Sequence, residues 1–139
     1  MLGPAAITTA LADLGAEVIK IEPPAGDYIR EMTWPIVEGV SLMHLHLNRG
    51  KQSLVLDLRK PEAIEIFLDL VKGADAVVEA MRPGGLERRG GGFDRLLEVN
   101  PKIVFITITE DGMTGPHKDF PRHGVAADTG HGVIQPAID

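Results

Sequence analysis

The sequence lacks cysteine, and none of its apolar runs is long. Without cysteine the chain cannot form a disulfide framework, a thiolate nucleophile or a cysteine-ligated zinc site, which suits a reducing compartment. The apolar runs fall far short of the ~18 residues that a membrane-spanning helix needs. The first residues also lack the basic and apolar segments of a secretory signal. We therefore predict a cytoplasmic protein with no membrane partner.

Basic residues are also scarce. The 14 Lys and Arg against 20 Asp and Glu give a formal charge of −6, which argues against a nucleic-acid partner held by a basic field. Residues 1–48 hold two basic and six acidic side chains, and residues 96–139 hold three and six. Residues 49–95 hold nine basic and eight acidic side chains. A phosphate-bearing small ligand would find its partners in this middle stretch.

Glycine and proline are abundant, 16 and 10 of the 139 residues, and predict short elements joined by loops. The periodicity predicts helices at 4–14, 61–72, 86–89 and 93–99, strands at 17–22, 53–58, 75–79 and 103–109, and a long loop at 23–50 with a possible short helix at 42–47. This alternation predicts an α/β fold, a parallel sheet with right-handed helical crossovers. Ligands bind at the carboxyl ends of such strands, which are Glu22, Leu58, Glu79 and Thr109.

The sequence argues against several common kinds of functional site. Glycine spacing at 84–92 fits neither the dinucleotide fingerprint nor a phosphate-binding P-loop. His44 and His46 lie two apart without a carboxylate at a familiar spacing, so we predict no metal site. Ser53 is most simply a strand residue, because no nucleophile elbow surrounds it. A histidine among the last 23 residues, near an aspartate, is a possible general base.

Seven segments of the chain form a recognisable series: Leu11–Glu22, Pro24–Asp27, Asn48–Arg59, Ala74–Glu79, Arg82–Arg88, Asn100–Val104 and Thr114–Pro116. In this order and spacing they resemble the family III CoA transferases, a family that also includes the α-methylacyl-CoA racemases. The resemblance implies a Rossmann-like α/β large domain, in an interlocked homodimer. Residues 1–139 are then an incomplete part of that domain, with residues 119–139 mostly loop.

The resemblance implies transfer of CoA from an acyl-CoA thioester to a small carboxylic acid, without a metal. In the family an aspartate carboxylate attacks the thioester to give a mixed anhydride, which CoA converts into an aspartyl-CoA thioester. That nucleophilic aspartate is expected beyond Asp139, since Asp128 matches a different position. We therefore expect a fragment that is inactive on its own.

Two other functions stay open. The first is a racemase-like enzyme, in which His123 would exchange the α-proton of the acyl-CoA as a catalytic base. The second is a non-catalytic fragment or assembly partner. The long loop before Asn48 favours the transferase over the racemase.

The resemblance also assigns the residues that contact the adenosine and phosphates of CoA. They are Leu56, Asp57, Leu58, Arg59, Ala80, Met81, Arg82 and Arg88. The arginines suit the phosphates, because guanidinium forks pair well with phosphate oxygens. The sequence departs from the family pattern at Pro23, where arginine is usual, at Ala80-Met81, where Asn-Phe is usual, and at Glu110-Asp111, where glycine and an aromatic are usual.

Overall fold

The computed structural model describes residues 2–120, 130 and 132. The helices and strands alternate along most of this stretch, and two 3₁₀ turns lie at Tyr28–Arg30 and Glu87–Arg89. In chain order the elements are α1 (Leu2–Asp13), β1 (Ile19–Glu22), β2 (Pro35–Val37), β3 (Val40–Ser41), α2 (Leu42–Asn48), β4 (Gln52–Val55), α3 (Pro61–Val71), β5 (Ala76–Glu79), α4 (Phe93–Val99) and β6 (Val104–Thr107).

The strands pair two by two across the described residues. β1 pairs in parallel with β4, from Ile19 opposite Gln52 to Glu22 opposite Val55. β5 pairs in parallel with β6. Each of these pairs is joined by a connection that contains a helix, α2 in the first and α4 in the second. The predicted α/β class with parallel pairing is confirmed, although hydrogen bonds do not join these strands into one continuous sheet.

The core forms where α3 packs on α4 and on the strand pair β5–β6. Pro61 fills the first turn of α3, where its missing N–H costs nothing. The predicted apolar stripe of this helix is buried as expected. With three residues from later in the chain it forms the core cluster of Ile64, Phe67, Leu68, Val71, Leu86, Leu96 and Ile103.

The buried face of α1 was predicted wrongly. The helix at 4–14 is predicted from the helical spacing of Ile7, Ala10, Leu11 and Leu14, which would share one buried face. Ile7, Leu11 and Leu14 are nevertheless 46%, 42% and 86% exposed. The buried residues of α1 are instead Ala5 and Thr9. Small side chains let α1 approach α2 closely, and the Thr9 hydroxyl donates a hydrogen bond to the Leu47 carbonyl.

Two local predictions also need correction. The strand expected at 53–58 ends at Val55, because the chain turns at Asp57, whose carbonyl accepts a 2.8 Å hydrogen bond from the Lys60 N–H. The loop expected at 23–50 contains the β2–β3 hairpin, whose two strands are only three and two residues long. The short helix expected near its end is present as α2.

Residues 110–120 contain no helix or strand, in agreement with the loop predicted there, and most of the predicted loop at 119–139 lies outside the described residues. No helix in the described part of the chain has both the length and the apolar character needed to cross a membrane.

Candidate functional site

Seven of the eight predicted CoA-contacting residues follow the carboxyl ends of two strands. Residues 56–59 come directly after β4, and residues 80–82 come directly after β5. Both strands belong to parallel pairs. The carboxyl ends of parallel strands are where α/β folds bind ligands, so the topology places both segments at suitable positions.

A cleft of about 430 Å³ opens between the start of α3 and the second 3₁₀ turn. Its lining residues are Arg59, Pro61, Ile64, Glu65, Arg88, Arg89 and Gly90. Two of the predicted residues, Arg59 and Arg88, thus lie in one cleft although they are 29 residues apart in the chain. Arg89 is not among the residues that the resemblance assigns to CoA, but it belongs to the basic residues of 49–95, where a phosphate-bearing ligand was expected.

The other predicted residues do not line this cleft. Leu58 and Met81 pack against the core cluster, and Ala80 is buried. Leu56 is half-buried and Arg82 is exposed. Asp57 acts on the cleft indirectly, through Arg59.

Asp57 holds the Arg59 guanidinium through a paired contact. Arg59 Nε donates to Asp57 Oδ1 at 2.7 Å, and Nη2 donates to Oδ2 at 2.9 Å. The Arg59 backbone N–H also donates to Oδ1, at 3.2 Å. The guanidinium holds the pKa of the Asp57 carboxyl below its ordinary value, and the carboxylate raises the pKa of Arg59. Arginine is charged at any ordinary pH, and the paired contact defines the orientation of the exposed Arg59 guanidinium in this structure.

Arg88 is positioned by the glycine turn before it. Gly84 has φ +71°, and a Cβ there would lie 2.7 Å from Arg88 Nη1. Glycine suits this positive φ, and with a Cβ in its place the Arg88 guanidinium would have to shift. The Arg88 N–H donates to the Gly84 carbonyl at 3.1 Å, and Arg88 Nη1 donates to the Pro83 carbonyl at 3.2 Å.

The cleft is rich in positive charge. Three guanidinium groups and one carboxylate, that of Glu65, line it. Among the described residues, neither Arg88 nor Arg89 has a carboxylate within ion-pair distance. Such a cleft can bind an anion with several oxygen atoms through charge-assisted hydrogen bonds. The described residues that line it include no serine, threonine or cysteine that could act as a nucleophile.

A second polar cluster, at the carboxyl end of β1, was missed from the sequence. Glu22 is 2% exposed and accepts from Arg30 Nη2 at 2.8 Å, from Arg30 Nε at 2.9 Å and from Ser53 Oγ at 2.8 Å. The Asp27 backbone N–H donates a further bond at 3.0 Å. The Arg30 guanidinium, with smaller contributions from Ser53, Asp27 and Lys20, lowers the pKa of Glu22 to about 2.

The Glu22 cluster fixes the loop after β1 onto the strand pair β1–β4. Ser53, predicted as a plain strand residue, is part of it. Lys20 reaches the other end of the loop, with Nζ 2.7 Å from Asp27 Oδ2. The cluster thereby orders residues 23–30, a segment that begins with Pro23, one of the departures from the family pattern.

Lys51 joins α1 to the end of α2. Its Nζ donates to the carbonyls of Ala5 and Leu47 at 2.7 and 2.8 Å, and to Thr8 Oγ1 at 2.8 Å. Burial lowers the pKa of Lys51 to about 8. The three acceptors satisfy all three ammonium donors, so the side chain has a structural role in this arrangement.

The histidines at positions 44, 46 and 117, which the structure describes, do not converge on a site. His44 Nδ1 lies 3.2 Å from Asn48 Nδ2, and His117 stacks on Phe120. His123, the catalytic residue of the racemase alternative, lies outside the described residues. Over residues 2–120, no three or more metal-ligating side chains come together.

Comparison with known proteins gives a consistent result. Residues 1–137 match the family described as CoA-transferase family III. The chain is 39% identical over 114 residues to the succinyl-CoA–L-malate CoA-transferase beta subunit of Chloroflexus aurantiacus, covering 81% of this chain and 28% of that protein. It is 38% identical over 128 residues to the acetyl-CoA:oxalate CoA-transferase of Acetobacter aceti, covering 91% and 33%.

Solved structures agree with these relatives. A crystal structure of a hypothetical protein from Mycobacterium tuberculosis superposes with a TM-score of 0.85 at 38% identity, covering 95% of this chain and 36% of that one. A CaiB/BaiF family protein from Brucella suis gives a TM-score of 0.78 at 38% identity, covering 86% and 32%. The chain thus spans about a third of the length of the relatives it matches.

Proposed function

The chain belongs to CoA-transferase family III, and on that premise we propose that it supplies part of the CoA-binding cleft of an enzyme that moves CoA from an acyl-CoA thioester to a small carboxylic acid. The observation that carries the proposal is the convergence of Arg59 and Arg88 in one cleft. Both residues match positions that the resemblance assigns to CoA contacts.

The chemistry of the cleft supports a nucleotide ligand. CoA carries its negative charge on three phosphate groups, and arginine forks bind phosphate oxygens in pairs. Asp57 keeps Arg59 oriented, and the Gly84 turn keeps Arg88 in place. In our proposal these residues bind and position CoA, and they do not form the aspartyl-CoA intermediate.

The names of the relatives support the substrate class. The proteins compared above are named for transfers that involve malate and oxalate, and a human relative at 40% identity is named succinyl-CoA:glutarate CoA-transferase. We therefore propose an acyl-CoA and a small carboxylic acid as the two substrates. These names favour the transferase over the racemase that would use His123.

The remaining assignments stay predictions. A homodimer, a cytoplasmic location and the lack of turnover by the 139-residue chain alone follow from the sequence and its resemblance. In the third alternative, a non-catalytic assembly partner, the chain would not need to bind CoA, so a binding measurement separates this alternative from the proposal.

Replacement of Arg88 by alanine should reduce the stabilisation that CoA gives the chain. For a dissociation constant near ~100 μM, 1 mM CoA raises the melting temperature by about 5 °C. Loss of one charge-assisted phosphate contact weakens binding about tenfold and reduces this rise to about 1 °C. Differential scanning fluorimetry measures both values.

Arg95→Ala is the matched control, because Arg95 pairs with Glu98 on α4 and does not line the cleft. It should keep the full CoA-dependent rise. A folded wild-type chain whose melting temperature does not move with millimolar CoA would overturn the proposed function.

A further inference from the structure

The cleft contains one more arginine than the sequence assigned to CoA. Arg89 lines it together with Arg59 and Arg88. We propose that Arg89 is a specificity-determining residue that selects ligands with a terminal phosphomonoester, so that the cleft distinguishes CoA from dephospho-CoA. This inference rests on the proposed function and assigns a role to a residue that the resemblance did not cover.

In its contacts with the described residues, the Arg89 guanidinium has no strong hydrogen-bond acceptor. Its Nη1 lies 2.8 Å from Met81 Sδ, a thioether, which is a weak hydrogen-bond acceptor. A phosphate oxygen in the same cleft is a far better acceptor for a guanidinium. The thioether carries no charge, so this neighbour does not neutralise the Arg89 guanidinium.

Among the described residues that line the cleft, two guanidinium groups, those of Arg88 and Arg89, face a single carboxylate, that of Glu65, so the cleft keeps an excess of positive charge for an anion. The charge of Arg59 is balanced by its paired contact with Asp57. Arg88 and Arg89 have no carboxylate within ion-pair distance in the described part of the chain. A phosphomonoester carries about −1.5 to −2 at pH 7, because its second pKa is near 6. Each phosphate of a diphosphate linkage carries a single charge, so the doubly charged group gains most from two adjacent guanidinium groups.

Hydrogen bonds fix the backbone that carries these two arginines. The Arg89 N–H and the Gly91 N–H both donate to the Leu86 carbonyl, at 3.1 Å each. Leu86 is 3% exposed and belongs to the core cluster. The short turn that carries Arg88 and Arg89 is thereby fixed to the core, so less conformational entropy is lost when a phosphate binds.

Isothermal titration calorimetry with CoA and dephospho-CoA tests the inference. The wild-type chain should bind CoA at least about tenfold more tightly than dephospho-CoA, the usual effect of one or two charge-assisted hydrogen bonds. Arg89→Leu should reduce this ratio to below about threefold and change the affinity for dephospho-CoA by less than about twofold. Arg89→Lys keeps the charge without the fork and should give an intermediate ratio. It also provides a second test if the leucine variant fails to fold.

Arg95→Leu, outside the cleft, is the control and should keep the wild-type ratio. If the wild-type chain binds both ligands equally, or if the folded Arg89→Leu or Arg89→Lys chain keeps the wild-type ratio, the inference is overturned while the proposed function stands. If the folded wild-type chain binds neither ligand, both are overturned.

Discussion

Replacing Glu22 by glutamine should destabilise the chain by about 2 to 4 kcal/mol, the largest effect we expect from a single polar substitution. The carboxylate is 2% exposed and accepts two hydrogen bonds from Arg30 and one from Ser53. Glutamine has nearly the same volume as glutamate but no charge. Its amide nitrogen, itself a donor, would face the donor groups of Arg30 or Ser53. The Arg30 guanidinium would be left without a counter-charge. Urea unfolding followed by circular dichroism measures the change.

Asp13→Asn provides the matched control for Glu22→Gln. It removes the counter-charge of Arg49, in a pair whose side chains are 46% and 47% exposed. Exposed pairs contribute little because water screens them, so this variant should lose less than about 1 kcal/mol. Equal losses in the two variants would contradict the structural role of the Glu22 cluster.

The Glu22 variant also has a distinct pH dependence. The pKa of Glu22 falls from its ordinary value of 4.5 to about 2 in the folded chain, chiefly through Arg30. A carboxyl group with a lowered pKa stabilises the fold above the unfolded value, and that contribution is lost as the pH falls through the folded value. Wild-type stability should therefore fall by up to about 3 kcal/mol more than that of Glu22→Gln between pH 4.5 and 2. Parallel curves for the two chains would contradict the assignment.

Ile64→Ala should cost about 2 to 4 kcal/mol, because it removes a buried side chain and leaves a cavity. Ile64 is 5% exposed within the core cluster and also lines the arginine cleft. Ile66→Ala makes the same chemical change on the opposite face of α3, where the side chain is 49% exposed. This control should change the free energy of unfolding by less than about 1 kcal/mol.

Urea unfolding of both isoleucine variants compares the two faces of one helix. Similar losses for Ile64→Ala and Ile66→Ala would show that the core does not lie where the structure places it. A large loss confined to Ile64→Ala is the result that we expect.

The core of the fold could be predicted from the sequence, because large apolar residues recur with helical spacing along α3. The same spacing of large apolar residues gave the wrong buried face for α1, because the residues that pack there are small. The packing of α1 depends on Ala5 and Thr9, and on hydrogen bonds from distant residues such as Lys51. The β2–β3 hairpin was missed because its strands are too short to show alternation, and Ile36 and Val37 are both exposed.

The candidate site, too, could be predicted from the sequence only in part. Arg59 and Arg88 were predicted because local motifs that resemble a family carry them. The Glu22 cluster was missed, because Arg30 is eight residues from Glu22 and Ser53 is 31 residues away. A short sequence pattern contains no signal for hydrogen bonds between side chains so far apart in the chain. Arg89 was expected from charge alone as a possible phosphate contact, but the resemblance does not assign it to CoA, and only the structure places it in one cleft with Arg59.

The most direct test of the central claim, that the arginine cleft binds CoA, is a titration of the ¹⁵N-labelled chain with CoA followed by ¹H–¹⁵N correlation NMR. The account predicts that the largest shift changes fall on the backbone amides of residues 57–60 and 84–90, which flank and line the cleft. The amides of α1 and the β2–β3 hairpin should move little. Shift changes that concentrate outside the cleft, or none at millimolar CoA, would contradict the account.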